Sequence, residues 1–193
     1  MKKRKLNCRC FVFLSNSLSI MPFPVLPNKI KKFIDAFSSL PSIGPRQAHR
    51  LAFYIKSLGQ KSIKELSEAV SGLNNLSSCS KCFFVYESDQ CPICSDKSRN
   101  QRQVVIVEKA TDLFSIEKTG KFKGRYLILG DLQKDGVLSE NQKNRLKNIS
   151  DTAVKVGPFE EIVVAINPTT VGDINSNLII QSVKGAAKKI TRL

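Results

Sequence analysis

The spacing of apolar residues in the first part of the chain predicts helices. Apolar side chains recur three or four positions apart, at Ile30, Phe33, Ile34 and Phe37. This periodicity predicts an amphipathic helix over 29–39 with Asn28 as its N-cap. The proline- and glycine-containing turn 41–45 ends that helix, and two further helices are predicted over 46–58 and 62–76. We therefore expect a helical hairpin followed by a third helix.

The pattern changes after residue 100, where short uninterrupted apolar runs replace the helical spacing. These runs span 104–107, 126–129 and 162–166, and they are typical of parallel strands buried on both faces. Helices are predicted over 111–118, from Ser139 with Gln142 completing a capping box, and over 173–184, and a last strand over 189–193. The alternation predicts an α/β fold, with a parallel sheet and flanking helices.

Between these two regions the chain carries four regularly spaced cysteines: Cys79, Cys82, Cys91 and Cys94. Two pairs, each with two intervening residues, bring four thiolates together, as a tetrahedral Zn²⁺ ion requires. Four protein ligands leave no coordination position for water or substrate, so we expect one structural zinc ion in a C4 zinc finger over 79–94. Thiolates reserved for a metal indicate a reducing compartment, which predicts a cytoplasmic protein.

The charge of the chain gives information about its binding partner rather than its fold. Lys and Arg number 31 against 16 Asp and Glu, a formal net charge of +15. Such a charge favours a polyanionic partner, most often nucleic acid and less often an anionic membrane surface. The alternative is a solvated surface whose charge only keeps the protein in solution. No apolar run has the length of a transmembrane helix, so we expect no membrane partner.

The turn between the first two predicted helices is the candidate DNA-binding element. A tight turn at Gly44 exposes backbone N–H groups at the start of the second helix, where the helix dipole favours a phosphate. Arg46 and Arg50 lie four positions apart and therefore share a face of that helix. Contacts of this kind reach the DNA backbone and predict binding without sequence preference. An ordinary helical hairpin with solvated basic residues remains the alternative.

Polar residues follow two of the predicted strands. Glu108 comes after the run 104–107, and Asn167 and Thr169 come after the run 162–166. Both groups are expected at the carboxyl edge of the sheet, where α/β folds place their sites. The layout resembles the Toprim domain of topoisomerases, primases and related nucleases, which hold Mg²⁺ with a Glu after the first strand and an Asp-x-Asp after a later one. Here the Asp-x-Asp positions are the neutral Asn167 and Thr169, so we do not expect metal-dependent phosphoryl chemistry.

Taken in order, the hairpin, the four cysteines and the Toprim-like sheet resemble the RecR family of bacterial recombination mediators. The motifs that carry the resemblance are Leu40-Pro41-Ser42-Ile43-Gly44-Pro45-Arg46, the cysteine quartet, Val107-Glu108 with Asp112, and Asn167-Pro168-Thr169. We expect a helix-hairpin-helix DNA-binding region over 28–78, the zinc finger over 79–94 and a Toprim domain over 102–193. Residues 1–27, with a second Met at position 21, are expected to be a disordered extension or a start-site artefact.

The resemblance implies a role without catalysis. RecR proteins assemble into rings, bind DNA and act with RecO and RecF to help load the RecA recombinase onto single-stranded DNA covered by single-strand-binding protein. For this chain it implies DNA contacts by Gly44, Arg46 and Arg50, zinc ligation by the four cysteines, and a Toprim face with Glu108, Asp112, Asn167 and Thr169. It also implies a bacterial cytoplasmic protein associated with the nucleoid. A Mg²⁺-dependent Toprim nuclease or primase-like enzyme is the alternative, and a zinc-containing protein-interaction module is a third.

Three features depart from the family pattern. Ser42 stands where the family usually has glycine, so we expect a strained turn. Val171 and Asp173 stand where the family usually has two glutamates, which removes a carboxylate from a face expected to contact a partner protein. The chain ends at Leu193, whereas RecR chains usually continue through a glycine-rich segment used in ring assembly. The expected self-association is therefore either a dimer or a tetrameric ring.

Overall fold

The computed structural model describes residues 26–193, so most of the predicted N-terminal extension lies outside the described residues. The chain divides into two compact units, one ending at Glu68 and the other spanning Ala69–Leu193. The described part of the first is helical, and the second contains the four regularly spaced cysteines and the predicted sheet.

Helices α1 (Asn28–Ser38) and α2 (Pro45–Ser57) form the predicted hairpin. They pack closely because Ala48 and Ala52, the buried residues of α2, carry only a methyl group. Helix α3 (Gly59–Gly72) begins three residues earlier than predicted, directly after α2, because Gly59 adopts a φ of +85° and lets the chain turn at once.

The prediction that Asn28 caps α1 is wrong. Pro27 occupies the N-cap position in an extended conformation, and its carbonyl accepts hydrogen bonds from the N–H groups of Ile30 and Lys31. Asn28 is the first helical residue, because the fixed φ of the preceding proline already sets the entry into the helix.

The second unit contains a four-stranded parallel sheet. Its strands are β3 (Asn100–Val107), β4 (Gly124–Ile128), β5 (Phe159–Ala165) and β6 (Ala187–Arg192), in the spatial order β4-β3-β5-β6. The connecting helices are α4 (Ala110–Glu117), α5 (Glu140–Val156) and α6 (Thr170–Ser182). A short antiparallel pair, β1 (Ser77–Ser78) and β2 (Val85–Tyr86), precedes the sheet. The predicted α/β architecture is confirmed.

Side chains of β3 alternate between two buried clusters, one on each face of the sheet. Val104 and Ile106 pack with residues of α5 and α6, whereas Val105 and Val107 pack with α4 and with three of the cysteines. The prediction that these strands are buried on both faces is therefore confirmed. The alternation also shows what covers the second face, which is the cysteine segment itself together with one short helix.

Candidate functional site

The four cysteines form one compact cluster. Their sulfur atoms all lie within 4.8 Å of one another, and the Cys79–Cys94 and Cys82–Cys91 pairs are 3.8 and 3.5 Å apart. Four sulfurs at about 2.3 Å from a tetrahedral Zn²⁺ would be roughly 3.8 Å apart. Cys79, Cys82 and Cys91 are buried and Cys94 is half-buried, as in a closed site. The cluster is consistent with one zinc site.

Local hydrogen bonds hold each pair of cysteines in a tight turn. The Phe83 N–H donates to the Cys79 carbonyl, and the Ser95 N–H donates to the Cys91 carbonyl. The Lys81 N–H points at the Cys79 sulfur over 3.4 Å, where it would stabilise a thiolate. Pairing of β1 with β2 brings the first turn back on itself. These backbone hydrogen bonds therefore position the sulfur atoms without the help of a metal ion.

The electrostatics of the cluster favour a cation. A hydrogen bond from Cys82 lowers the pKa of Cys94 to about 5, and the same interaction, together with burial, raises the pKa of Cys82. Burial also raises the pKa of the Cys91 thiol. One thiolate thus forms readily while its neighbours resist a second buried negative charge, and a bound Zn²⁺ would remove that resistance.

The cysteine segment is attached directly to the sheet. The Ile128 N–H at the end of β4 donates to the Cys82 carbonyl over 2.9 Å, and the Arg145 guanidinium of α5 lies 4.4 Å from the centre of the Phe83 ring. Beyond the last cysteine, Arg99 donates two hydrogen bonds to the Glu117 carboxylate, at 2.9 and 2.8 Å. The cysteine segment and the sheet are therefore held together by direct contacts.

The hairpin places the predicted DNA-binding residues at the start of α2. Gly44 is its N-cap, and Arg46 and Arg50 are both exposed. The Gly44 carbonyl accepts the N–H groups of Gln47 and Ala48. Pro45, the first residue of α2, has no N–H group. At the start of α2 in the described chain, only the N–H groups of Gly44 and Arg46 lack a backbone acceptor. The turn therefore offers fewer free backbone N–H groups than the start of a helix usually does. Binding of a phosphate here would depend more on the side chains of Arg46 and Arg50.

At the carboxyl edge of the sheet, a lysine lies between two carboxylates. The Lys109 ammonium is 3.2 Å from Asp131 and 3.8 Å from Glu108. The Glu108 carboxylate also accepts a hydrogen bond from the Leu132 N–H over 3.4 Å. Asp131 was not singled out from the sequence, although its position just after the run 126–129 was a usable signal. The Lys109 ammonium therefore lies beside Glu108, in the place that a metal ion would take in a metal-dependent site.

Two of the predicted Toprim-face residues are helix caps. Asp112 accepts the Lys109 N–H over 2.9 Å at the start of α4, and the Thr169 hydroxyl accepts the Gly172 N–H over 3.0 Å at the start of α6. A side chain at Gly172 would overlap the Asn167 carbonyl oxygen, so α6 starts directly against the Asn167 segment. Asp173 pairs with Arg192. In the described chain, the cysteine cluster is the only group of three or more Cys, His, Asp or Glu residues arranged to hold a metal.

Comparison with known proteins assigns both halves of the chain. Residues 30–72 match the family model described as RecR, helix-hairpin-helix, and residues 102–193 match that of the Toprim domain. The chain is 32% identical to a recombination protein RecR of Herpetosiphon aurantiacus, over 88% of this chain and 83% of that protein. It is 35% identical to a recombination protein RecR of Ligilactobacillus salivarius, over 86% and 84%. It is 31% identical to a recombination protein RecR of Dehalococcoides mccartyi, over 88% of this chain and 83% of that protein. Among the described residues, no helix is long and apolar enough to cross a membrane.

Proposed function

Because the chain belongs to the RecR family of recombination proteins, we propose that it is a DNA-binding mediator that acts without catalysis in recombination and repair. Under this proposal it works with RecO and RecF partners in the bacterial cytoplasm, at the nucleoid, and helps load RecA onto single-stranded DNA. It does so as a self-associating assembly, either a dimer or a tetrameric ring. The observation that carries the proposal is the pair of exposed arginines, Arg46 and Arg50, on the first turns of α2 beside Gly44.

The arrangement supports contact with the DNA backbone. Arginine guanidinium groups donate several hydrogen bonds to one phosphate, and the start of a helix adds a favourable dipole. The net charge of +15 attracts any nucleic acid over a longer range. Neither contribution depends on the base sequence, so we expect binding to single strands of any composition.

The test compares two double variants in an electrophoretic mobility shift assay on single-stranded DNA. Replacing Arg46 and Arg50 by Ala should weaken binding by about tenfold or more, since each lost phosphate contact contributes on the order of 1 kcal/mol. The control replaces two exposed lysines of the other unit, Lys184 and Lys188, and removes the same charge. Equal weakening by both variants would mean that net charge, and not the hairpin, holds the DNA.

The mediator step needs an assay of its own. RecA is added to single-stranded DNA covered by single-strand-binding protein, and its DNA-dependent ATP hydrolysis is followed with RecO, with this protein, and with both. The proposal expects a faster onset only when both are present, and a slower onset with the Arg46→Ala, Arg50→Ala variant. An onset that this protein leaves unchanged would reject the mediator role while leaving DNA binding intact.

We further infer that the four cysteines ligate one structural Zn²⁺. When bound, this ion supplies a fixed tetrahedral cross-link and no reactive position. Elemental analysis of protein purified without chelator should give about one zinc per chain, and the Cys82→Ser variant should give much less. Protein that is fully folded and free of zinc would contradict the assignment.

We also infer that the carboxyl edge of the sheet does no metal-dependent cleavage. The Lys109 ammonium lies 3.8 Å from Glu108 and 3.2 Å from Asp131 and offsets one of their two negative charges, and Thr169 is engaged as a helix cap. Incubation with labelled DNA and Mg²⁺ should yield no cleavage product from the parent protein. Cleavage that disappears in the Glu108→Gln variant would instead establish the Toprim nuclease alternative.

A further inference from the structure

A groove of about 400 Å³ lies on one face of helix α2. Its volume falls within the range of about 300–1,000 Å³ that is usual for ligand sites. The residues that line it are three, four and seven positions apart along the helix, so they share a face: Gln47, Arg50, Leu51 and Tyr54. The groove therefore combines an amide, a cation, an apolar side chain and an aromatic ring.

The groove is continuous with the surface proposed to contact DNA. Arg50 belongs to both, because it lines the groove and shares its helix face with Arg46 one turn earlier. Arg50 is exposed, and in the described residues its guanidinium has no carboxylate oxygen within 4.0 Å. A DNA strand whose phosphate is bound at Arg50 therefore lies at the groove, and this strand is the occupant that the position of the groove favours.

The aromatic wall of the groove is an exposed ring. Tyr54 is 61% exposed, and among the described residues its ring pairs with no other aromatic ring. Its neighbour Phe53 is different, because the Phe53 ring lies 5.3 Å from that of His49. Proteins that bind single-stranded DNA place exposed aromatic rings beside basic residues, so that unpaired bases stack on them. The Tyr54 ring is available for such stacking.

The spacing of the groove residues suits one nucleotide. Arg50 and Tyr54 are four positions apart, which is about 6 Å along the helix axis. A single sugar spans a comparable distance between a phosphate and the base attached to it. Leu51 is half-buried between them and offers an apolar surface, and the Gln47 amide can both donate and accept hydrogen bonds. Phosphate, sugar and base would each meet a side chain of matching chemistry.

We propose that this groove binds one nucleotide of single-stranded DNA, with the base stacked on Tyr54 and a phosphate at Arg50. The proposal rests on the proposed binding of DNA by the hairpin and adds a preference for single strands to it. In a duplex the bases are paired and stacked on one another, and one of them would have to leave the helix to reach Tyr54. Stacking on an aromatic ring accepts any base, so this preference does not depend on sequence.

The test measures fluorescence anisotropy of labelled oligothymidylate and of a labelled duplex of equal length with the full-length protein. Tyr54→Ala should weaken single-strand binding about fivefold or more and leave duplex binding unchanged, whereas Tyr54→Phe should stay within about twofold of the parent. The matched control is Phe53→Ala, which removes an exposed ring from the same helix outside the groove and should leave the ratio of the two affinities unchanged.

Two further measurements report on stacking directly. On a strand that keeps its phosphates but carries no bases, the parent and Tyr54→Ala should bind equally. The chain contains no tryptophan and three tyrosines, so its tyrosine emission can be observed. Oligothymidylate should quench this emission in the parent and not in Tyr54→Phe, because the other two tyrosines, Tyr86 and Tyr126, lie in the other unit.

Several results would overturn the proposal. Tyr54→Ala might bind single strands as the parent does, lose single-strand and duplex affinity equally, or weaken binding to the strand without bases. Light scattering after size exclusion gives the oligomeric state of each variant. A smaller assembly of Tyr54→Ala, with both affinities reduced, would make this face an interface between copies of the chain.

The Arg46→Ala, Arg50→Ala variant separates this proposal from the proposed function. If that variant loses single-strand binding while Tyr54→Ala keeps it, DNA binding by the hairpin stands and the nucleotide groove is rejected. If the arginine variant binds single strands as the parent does, the proposed DNA surface itself is rejected, and the groove with it.

Discussion

At the scale of single residues, Ser42 and Phe83 share an unusual backbone. They are the two residues other than glycine that have positive φ in the described chain, at +64° and +61°. A left-handed conformation costs a side-chain-bearing residue about 1 kcal/mol relative to glycine. The two positions differ in what the side chain does, because Ser42 is exposed whereas Phe83 is half-buried and contacts both core clusters.

We predict that Ser42→Gly stabilises the helical unit by about 1 kcal/mol, since it relieves the turn and removes no packing. Chemical denaturation followed by circular dichroism measures the change. Ser39→Gly is the control, because Ser39 has an ordinary helical φ of −80° and glycine there should be neutral or destabilising. Stabilisation of equal size at both positions would show that the left-handed turn is not the cause.

Substitution of Phe83 by glycine should lower the stability of the protein, in contrast to the same substitution at Ser42. Phe83→Gly also relieves a positive φ, but it removes a ring that packs on the sheet and stacks against Arg145. We predict a net destabilisation of about 2 kcal/mol or more, measured as a lower midpoint of denaturation. Phe83→Leu, which keeps most of the volume, should recover most of the loss.

At the scale of elements, periodicity in the sequence was sufficient for the type and order of the helices and sheet strands. Runs such as 104–107 and 162–166 are read directly as buried strands because both of their faces are covered. The cysteine spacing likewise predicted the cluster. What periodicity does not encode is which element covers which face, so the packing of the cysteine segment against β3 and β4 was not predicted. Asp112 and Thr169 cap α4 and α6, and because a helix cap and a site ligand use the same residue types at strand ends, the sequence pattern alone does not separate the two roles.

The ion pair of Arg99 with Glu117 leads to a prediction about pH. The hydrogen bonds from Arg99 lower the pKa of Glu117, so the folded protein binds this proton less readily than the unfolded chain does. The resulting stability is fully present above the unfolded pKa of about 4.3 and is lost as the pH falls through the lower, folded value. Glu117→Gln should therefore destabilise by about 1 kcal/mol at neutral pH, and the difference from the parent should shrink in acid. Glu65→Gln, at an exposed residue of α3 outside this ion pair, is the control for loss of a surface carboxylate.

Removal of zinc should loosen one face of the sheet. Three of the cysteines share a buried cluster with Val105, Val107 and Ile128, so a chelator should increase amide hydrogen exchange in β4 and α4 as well as in 79–94. The opposite face, covered by α5 and α6, should keep more of its protection. Hydrogen exchange followed by mass spectrometry resolves these segments. A change confined to 79–94 would show that the finger is not mechanically connected to the sheet.

At the scale of the whole molecule, the excess of basic residues makes DNA affinity a function of salt. Each phosphate contact contributes about 0.7 to the slope of log affinity against log salt on single strands. We predict a steep negative slope for the parent, which becomes shallower by about 1.4 in the Arg46→Ala, Arg50→Ala variant. Filter binding at several NaCl concentrations measures both slopes. An unchanged slope would mean that these arginines do not touch phosphates.

The lysine between Glu108 and Asp131 also matters for protein design. Introducing Mg²⁺ chemistry at this edge cannot be done by adding acids alone. Thr169→Asp keeps a good helix cap and Asn167→Asp adds an exposed carboxylate, yet the Lys109 ammonium would still occupy the space and the charge that a divalent ion needs. A redesign would therefore combine these two changes with a substitution of Lys109, and we expect the combination to bind a divalent ion more tightly than either acidic substitution alone.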